Sequence, residues 1–275
     1  MMTVEQAVLR LRSDPATAER MRDSYLMEDV REAARSFAAS AEFRAVVETV
    51  GSQLAGANVL DLGAGTGIAS FAFATAGAAR VVALEPDPSD VVGQGAIRRS
   101  CAGLPVEISP GTGEALPFTD GAFDVVYARQ VLHHARDLRR LVRECARVLA
   151  PDGLFLACRE HVADDDAQLR QFLAAHPVHQ LAGGENAFSL DAYRGALDDA
   201  GFRTVEVIGP WDSIINAYPV VRTEDERRRY PRTLLSRRFG MMGRVACLIP
   251  GINSLVWRRV DAPAPGRLYS FVARR

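Results

Sequence analysis

The sequence predicts an α/β fold, a mostly parallel sheet covered by helices on both faces, and three observations carry the prediction. Short apolar runs alternate with helical stretches through the middle of the chain, the pattern of strands joined by crossover helices. One run, within VLDLGAGTG from Val59 to Gly67, leads directly into a glycine turn and a second apolar stretch. A later run ends at Asp137, after which Leu138, Leu141, Val142, Cys145, Val148 and Leu149 form a single helical stripe.

Taken in order, residues 1–50 are rich in Ala, Glu and Arg, with Phe43, Val46, Val47 and Val50 at helical spacing. They predict an N-terminal helical cap ahead of a main domain over 51–275. Strands are expected at 57–62, 80–84, 104–109, 123–128, 153–159, 203–208 and 267–273. Asp137 caps the striped helix, and Pro151 and Gly153 end it. Two segments fall outside the repeating pattern, 161–188 and 209–265. Both are expected near the ligand crevice, which in such sheets opens at the carboxyl ends of the strands.

Composition narrows the class. At 275 residues with 48% hydrophobic content, the chain can build one large core. A formal net charge of −1 argues against nucleic acid as the partner, since phosphate binding shows as a basic surplus. Every basic side chain other than His is Arg, because the chain has no lysine, which excludes Schiff-base chemistry and a P-loop lysine. Cys101, Cys145, Cys158 and Cys247 form no C-x-x-C pair, and the opening MMTVEQAVLR lacks an apolar signal core. The expectation is a cytoplasmic protein with reduced thiols; the number of copies in its assembly stays open.

The glycine turn points to a ligand. A strand, a glycine turn and a helix place backbone N–H groups at a helix N-terminus, where they hold anionic groups. Glu85, closing the run Val81–Leu84, stands where a carboxylate accepts the hydroxyls of a ribose. Gly63, Gly65 and Gly67 read G-x-G-x-G, and Ile68 replaces the third glycine of a dinucleotide fingerprint. Asp61 would repel a pyrophosphate but suits an ammonium group. The expected ligand thus carries both an adenosine and a cation.

In these residues the chain resembles the class I methyltransferases that use S-adenosylmethionine, whose signature is two hydrophobic residues, an acid, another hydrophobic residue and G-x-G-x-G. GTGEALPFTD (Gly111–Asp120), FDVVYARQVLHH (Phe123–His134) and RVLAPDG (Arg147–Gly153) are similar to the family's later landmarks, in order. The resemblance implies a Rossmann-like, doubly wound, seven-stranded sheet whose last strand is antiparallel, and S-adenosylmethionine as cofactor. It implies donor contacts from Asp61, Gly63, Gly65, Gly67, Glu85 and Pro86, and from the loop Thr112, Gly113 and Glu114. The family usually has an acid at Thr112 for the adenine amino group, so here a hydroxyl, a backbone carbonyl or Glu114 would replace it. Arg129 would offer its backbone carbonyl to the donor's amino group, or its side chain to a carboxylate. Tyr25 would cover the donor or pack the cap.

The acceptor must be read from elsewhere. A sulfonium methyl is already activated, so the protein mainly aligns the acceptor and, for a hydroxyl, removes its proton. All five histidines, His133, His134, His161, His176 and His179, fall in one region. His134, His161 and His133 follow predicted strands and are the catalytic candidates. No metal is expected, and Asp164, Asp165 and Asp166 read as a solvated loop or helix start. Tyr193, Trp211, Asn216 and Tyr218 offer acceptor walls without an assigned role. The stretch Arg222–Arg244 holds eight Arg against three acids before an apolar run; a solvated basic face with a lid or dimer contact is preferred over peripheral contact with an anionic membrane. The expected function is methyl transfer to a small-molecule hydroxyl. The alternatives are a nicotinamide-dependent oxidoreductase or a non-catalytic nucleoside-binding protein.

Overall fold

The computed structural model describes residues 1–246, 249, 252–260 and 264–275; Cys247 and part of the apolar run around it lie outside the described residues. Seven strands, β1 (Asn58–Leu62), β2 (Arg80–Leu84), β3 (Val106–Ser109), β4 (Phe123–Arg129), β5 (Leu149–Val162), β6 (Thr204–Ile208) and β7 (Arg267–Arg274), form one sheet in the order β3-β2-β1-β4-β5-β7-β6. The first five pair in parallel, and β7 runs antiparallel to both β5 and β6. The strand order reverses between β1 and β4, so the crevice opens beside the glycine turn that follows β1. This is the doubly wound, Rossmann-like sheet with an antiparallel last strand that the sequence implied.

The central strands are buried on both faces, which is why they read as unbroken apolar runs. One face packs Phe37, Phe43, Val46, Phe73 and Tyr127, joining the cap to the sheet. The other packs Leu60, Leu62, Val126, Leu141 and Val142. Four helices precede β1: Val4–Ser13, Ala18–Asp23, Val30–Ala38 and Ala41–Val50, with Thr3, Asp29 and Ser40 accepting backbone N–H groups as caps of the first, third and fourth. The striped helix spans Leu138–Val148, capped by Asp137 accepting from Arg140 N. It stops one residue early, and Leu149 turns extended to open β5.

β5 is the main departure from expectation. It was expected over 153–159 but runs from Leu149 to Val162, with a bulge between Ala157 and Glu160. Arg159 sits at φ 62°, a left-handed position that lets the strand resume past it. Charged residues in Arg159-Glu160-His161 read as a strand end, yet each finds partners that keep it in the sheet.

After β5 come helices Asp166–Ala175, capped by Asp165, and Pro177–Ala182. Between β6 and β7 lie helices Ile214–Ala217, Glu224–Ala246 and Ile252–Val260, the second interrupted by Gly240 at φ 56°. Phe239, Met241 and Met242 are exposed on this Arg-rich segment. Among the described residues no helix is long and apolar enough to cross a membrane. Cys101, Cys145 and Cys158 are buried as separate free thiols.

Candidate active site

The turn after β1 uses its glycines for two different purposes. Gly63, Gly65 and Gly67 have φ of 63°, 55° and 80°, a region that L side chains enter at a cost. A Cβ on Gly63 would lie 2.8 Å from Val131 Cγ2, and one on Gly67 2.7 Å from Ser100 Oγ. On Gly65 the nearest atom, Val92 O, would be 4.0 Å away. The turn is therefore pinned at both ends and open in its middle, where a ligand can reach the backbone.

Glu85, at the tip of β2, closes this turn. Its Oε2 accepts from Gly65 N at 2.7 Å and its Oε1 from Asp87 N at 2.9 Å, while burial pushes its pKa up. Asp61 is buried beneath and accepts from Ser70 Oγ at 2.5 Å, tying β1 to the helix Ile68–Thr75. Burial raises the Asp61 carboxyl to about 7. Pro86 and Thr112 are exposed, and Gly111 lies against Leu84. Gly113 packs against Leu141, and Glu114 accepts from Arg136 N at 2.9 Å, facing the segment before the striped helix.

Arg129, at the end of β4, turns its guanidinium to the cap. Its Nε donates to Glu42 Oε1 at 2.6 Å and its Nη2 to Glu42 Oε2 at 3.2 Å, with the rings of Tyr25 and Phe37 at 5.6 and 5.5 Å. Tyr25 in turn stacks on Tyr218 at 5.7 Å. Arg159 donates to the carbonyls of Ile215 and Tyr218, and Asn216 accepts from Ser270 Oγ at 2.6 Å. Cap, sheet and late insertion are thus joined by buried polar groups. Trp211 stacks on Tyr230 at 4.4 Å, and Tyr193 donates its hydroxyl to His161 O.

The histidines meet at the carboxyl ends of β4 and β5. Gln130 at φ 58° and Arg159 at φ 62° hold unusual backbone at those two neighbouring ends, joined by Gln130 N donating to Cys158 O. Fully buried Glu160 accepts from Val131 N, His133 N and His133 Nδ1, the last at 2.8 Å. Burial works against a charged His133, but Glu160 and Glu185 outweigh it and hold the ring's pKa at about 9. Burial also opposes ionised Glu185, yet its histidine neighbours pull it down to about 2.

His134 is more open. Its Nδ1 donates to Gly184 O at 3.2 Å, and burial with the nearby His133 charge lowers its pKa. His161 donates from Nδ1 to Gly266 O at 2.8 Å and accepts at Nε2 from Gln130 Nε2 at 3.4 Å; burial, then His133, hold it at about 4. Ring centroids of His133 lie 4.2 Å from His134 and 5.0 Å from His161, and His176 lies 6.1 Å from His161. Four of the five histidines therefore form one cluster. Val131, packed on Gly63, sets it against the glycine turn.

Three members of this site were not singled out by sequence reasoning: Gln130, Glu160 and Glu185. Glu160 had a signal, since a carboxylate inside the run LFLACREHV must find donors when buried. Glu185 had none, because its partners come from other elements.

Residues 60–157 match the family described as "Methyltransferase domain". An uncharacterized methyltransferase, YcgJ, of Bacillus subtilis (strain 168) is 36% identical over 115 residues, 42% of this chain and 45% of that protein. A ubiquinone biosynthesis O-methyltransferase of Methylobacterium sp. (strain 4-46) is 36% identical over 104 residues, 38% of this chain and 41% of that protein. The chain thus spans less than half the length of these curated relatives. A solved S-adenosylmethionine dependent methyltransferase from Mesorhizobium loti shares the fold, with a TM-score of 0.54, 18% identity and coverage of 87% of this chain and 100% of that one. With its open glycine turn and its sheet order, the chain thus matches a methyltransferase domain over residues 60–157.

Proposed function

We propose that the chain transfers a methyl group from S-adenosylmethionine to a hydroxyl oxygen of a small-molecule acceptor. The observation that carries this reading is the contact between an open glycine turn and a histidine cluster through Val131. The turn fits the donor: Gly65 leaves its backbone accessible, and Glu85 stands beside it to accept ribose hydroxyls. Asp61, beneath the turn, favours a ligand that brings a positive charge. The bound donor supplies a methyl carbon on a sulfonium sulfur, which needs alignment more than activation.

Of the three candidate bases, His134 is favoured. His133 holds a proton between two carboxylates, and both ring nitrogens of His161 are in hydrogen bonds. Among the described residues His134 Nε2 makes no hydrogen bond, and its side chain is 44% exposed. It takes the acceptor proton as the new carbon–oxygen bond forms. The ubiquinone-pathway relative, named as an O-methyltransferase, supports oxygen as the methylated atom.

Calorimetry with S-adenosylhomocysteine and with NAD tests the donor. Binding of the first and not the second is expected; the reverse overturns the reading in favour of an oxidoreductase. Tight donor binding without transfer of labelled methyl to any of a panel of phenols and sugars would instead favour a non-catalytic nucleoside-binding protein.

A further inference from the structure

Three ligand atoms at the open side of the cluster, His133 Nε2, His134 Nε2 and a carboxylate oxygen of Glu185, lie within 4.8 Å of one another. Glu185 Oε2 is 3.6 Å from His133 Nε2 and 3.8 Å from His134 Nε2. Those separations are too long for hydrogen bonds. They approach the roughly 3.4 Å between two ligands of a tetrahedral ion bound at about 2.1 Å.

Each imidazole is also oriented from behind. His133 Nδ1 donates to Glu160 Oε2 at 2.8 Å, and His134 Nδ1 donates to Gly184 O at 3.2 Å, so both Nε2 atoms are left for the gap, that of His133 once an ion displaces its proton. A carboxylate or carbonyl on the far nitrogen is the arrangement that fixes histidine ligands of metals. Glu160 is held in turn by Val131 N and His133 N, which makes this outer layer rigid. On the other side, His176 Nδ1 stands 3.7 Å from Glu185 Oε1 and restrains the carboxylate.

We propose that His133, His134 and Glu185 bind a divalent transition-metal ion, zinc by preference. Two imidazole nitrogens and one carboxylate oxygen suit that ion and leave one position for an oxygen ligand. The exposed edge of His134 provides the way in. Binding stands on the geometry alone; its use rests on the methyl-transfer reading, in which the open position takes the acceptor oxygen. With an ion bound, His134 Nε2 would hold it instead of taking a proton; the ion would acidify the acceptor hydroxyl, whose proton would pass to solvent water as the carbon–oxygen bond forms.

The test uses the tag-free chain, stripped with a chelator, dialysed, and titrated with Zn²⁺ against a chromophoric chelator at pH 8, where the ion displaces the proton that His133 holds. One equivalent is expected to bind, and Co²⁺ in its place gives the visible absorption of a four- or five-coordinate site. Glu185→Gln and His134→Ala each weaken binding by about tenfold or more, and Glu160→Gln weakens it by about 10- to 100-fold with unchanged circular dichroism. His179→Ala, outside the cluster, leaves it unchanged. Absence of stoichiometric binding, or a loss in His179→Ala equal to that in His134→Ala, overturns the inference. Calorimetry with S-adenosylhomocysteine on the same protein separates the two proposals. Nucleoside binding without ion binding removes the metal and leaves the donor reading; ion binding without nucleoside binding does the reverse.

Discussion

The glycine turn and the histidine cluster touch through Val131, yet they are built in different ways. The turn is made by backbone: three left-handed glycines within five residues, with one carboxylate from the next strand reaching Gly65 N. The cluster is made by side chains from distant segments: Glu160 reaches His133 across 27 residues of sequence, and Gly184 reaches His134 across 50. A backbone site is specified by local spacing and tolerates little change. A side-chain site depends on long-range partners, and its chemistry can change while the fold survives.

The sharpest way to break this contrast is Gly67→Ala. The substitution forces an L residue to φ 80° and drives a Cβ to 2.7 Å from Ser100 Oγ and 3.3 Å from Ile97 Cα. The left-handed backbone costs about 1–2 kcal/mol, and overpacking adds about 1–3 kcal/mol. A fall in unfolding free energy of about 2–5 kcal/mol is expected in urea titration, together with loss of S-adenosylhomocysteine binding. A variant as stable as the parent would show that the turn is not pinned as described.

His134→Ala probes the other side. The ring is half-exposed and hydrogen-bonds a surface carbonyl, so the melting temperature and donor affinity should barely move. Transfer of labelled methyl should fall by about 100-fold, within the usual contribution of a positioned acid or base. A loss below tenfold in both His134→Ala and His161→Ala would end the histidine-base reading. A fall in donor affinity equal to the fall in turnover would instead place His134 on the donor side.

The same contrast explains what could be read from sequence. β1 and β2 lie in the sheet's interior, so their runs NVLDL and RVVAL show as apolar stretches with near-correct limits. The capped stripe of Leu138–Val148 was legible because capping and amphipathic spacing are local. β5 was cut short because Arg159 and Glu160 look like a strand end. Their burial is offset by Ile215 O, Tyr218 O and His133, none of which lies nearby in sequence. Arg129 is a similar case: its side-chain partner Glu42 is 87 residues away in the cap, a pairing that no local signal announces. Local signals located the glycine turn, and side-chain pairing across the insertions assembled the rest.

The smallest expected effect is also the most specific to the turn: the pH dependence of donor binding through Asp61. An unfolded Asp titrates near 3.9, whereas buried Asp61 is raised to about 7, chiefly by desolvation and in lesser part by the charge of Glu85, against hydrogen bonds from Ser70. Between those values the folded chain keeps a proton that the unfolded chain has lost. Stability from this group is therefore full below pH ~4 and declines as pH rises toward ~7, since the unfolded state binds fewer protons there. A ligand ammonium beside Asp61 favours the ionised form, so donor binding releases a proton below pH ~7 and tightens as pH rises. S-adenosylhomocysteine affinity should rise by up to about fivefold between pH 6 and 7 and about tenfold by pH ~8, where it levels off. Calorimetry at pH 6 in buffers of different ionisation enthalpy should register the released proton. Asp61→Asn keeps a partner for Ser70 and should flatten both profiles. An equally steep rise in Asp61→Asn would assign the linkage to another group, and a flat profile in the parent chain would show that the donor's charge lies away from Asp61.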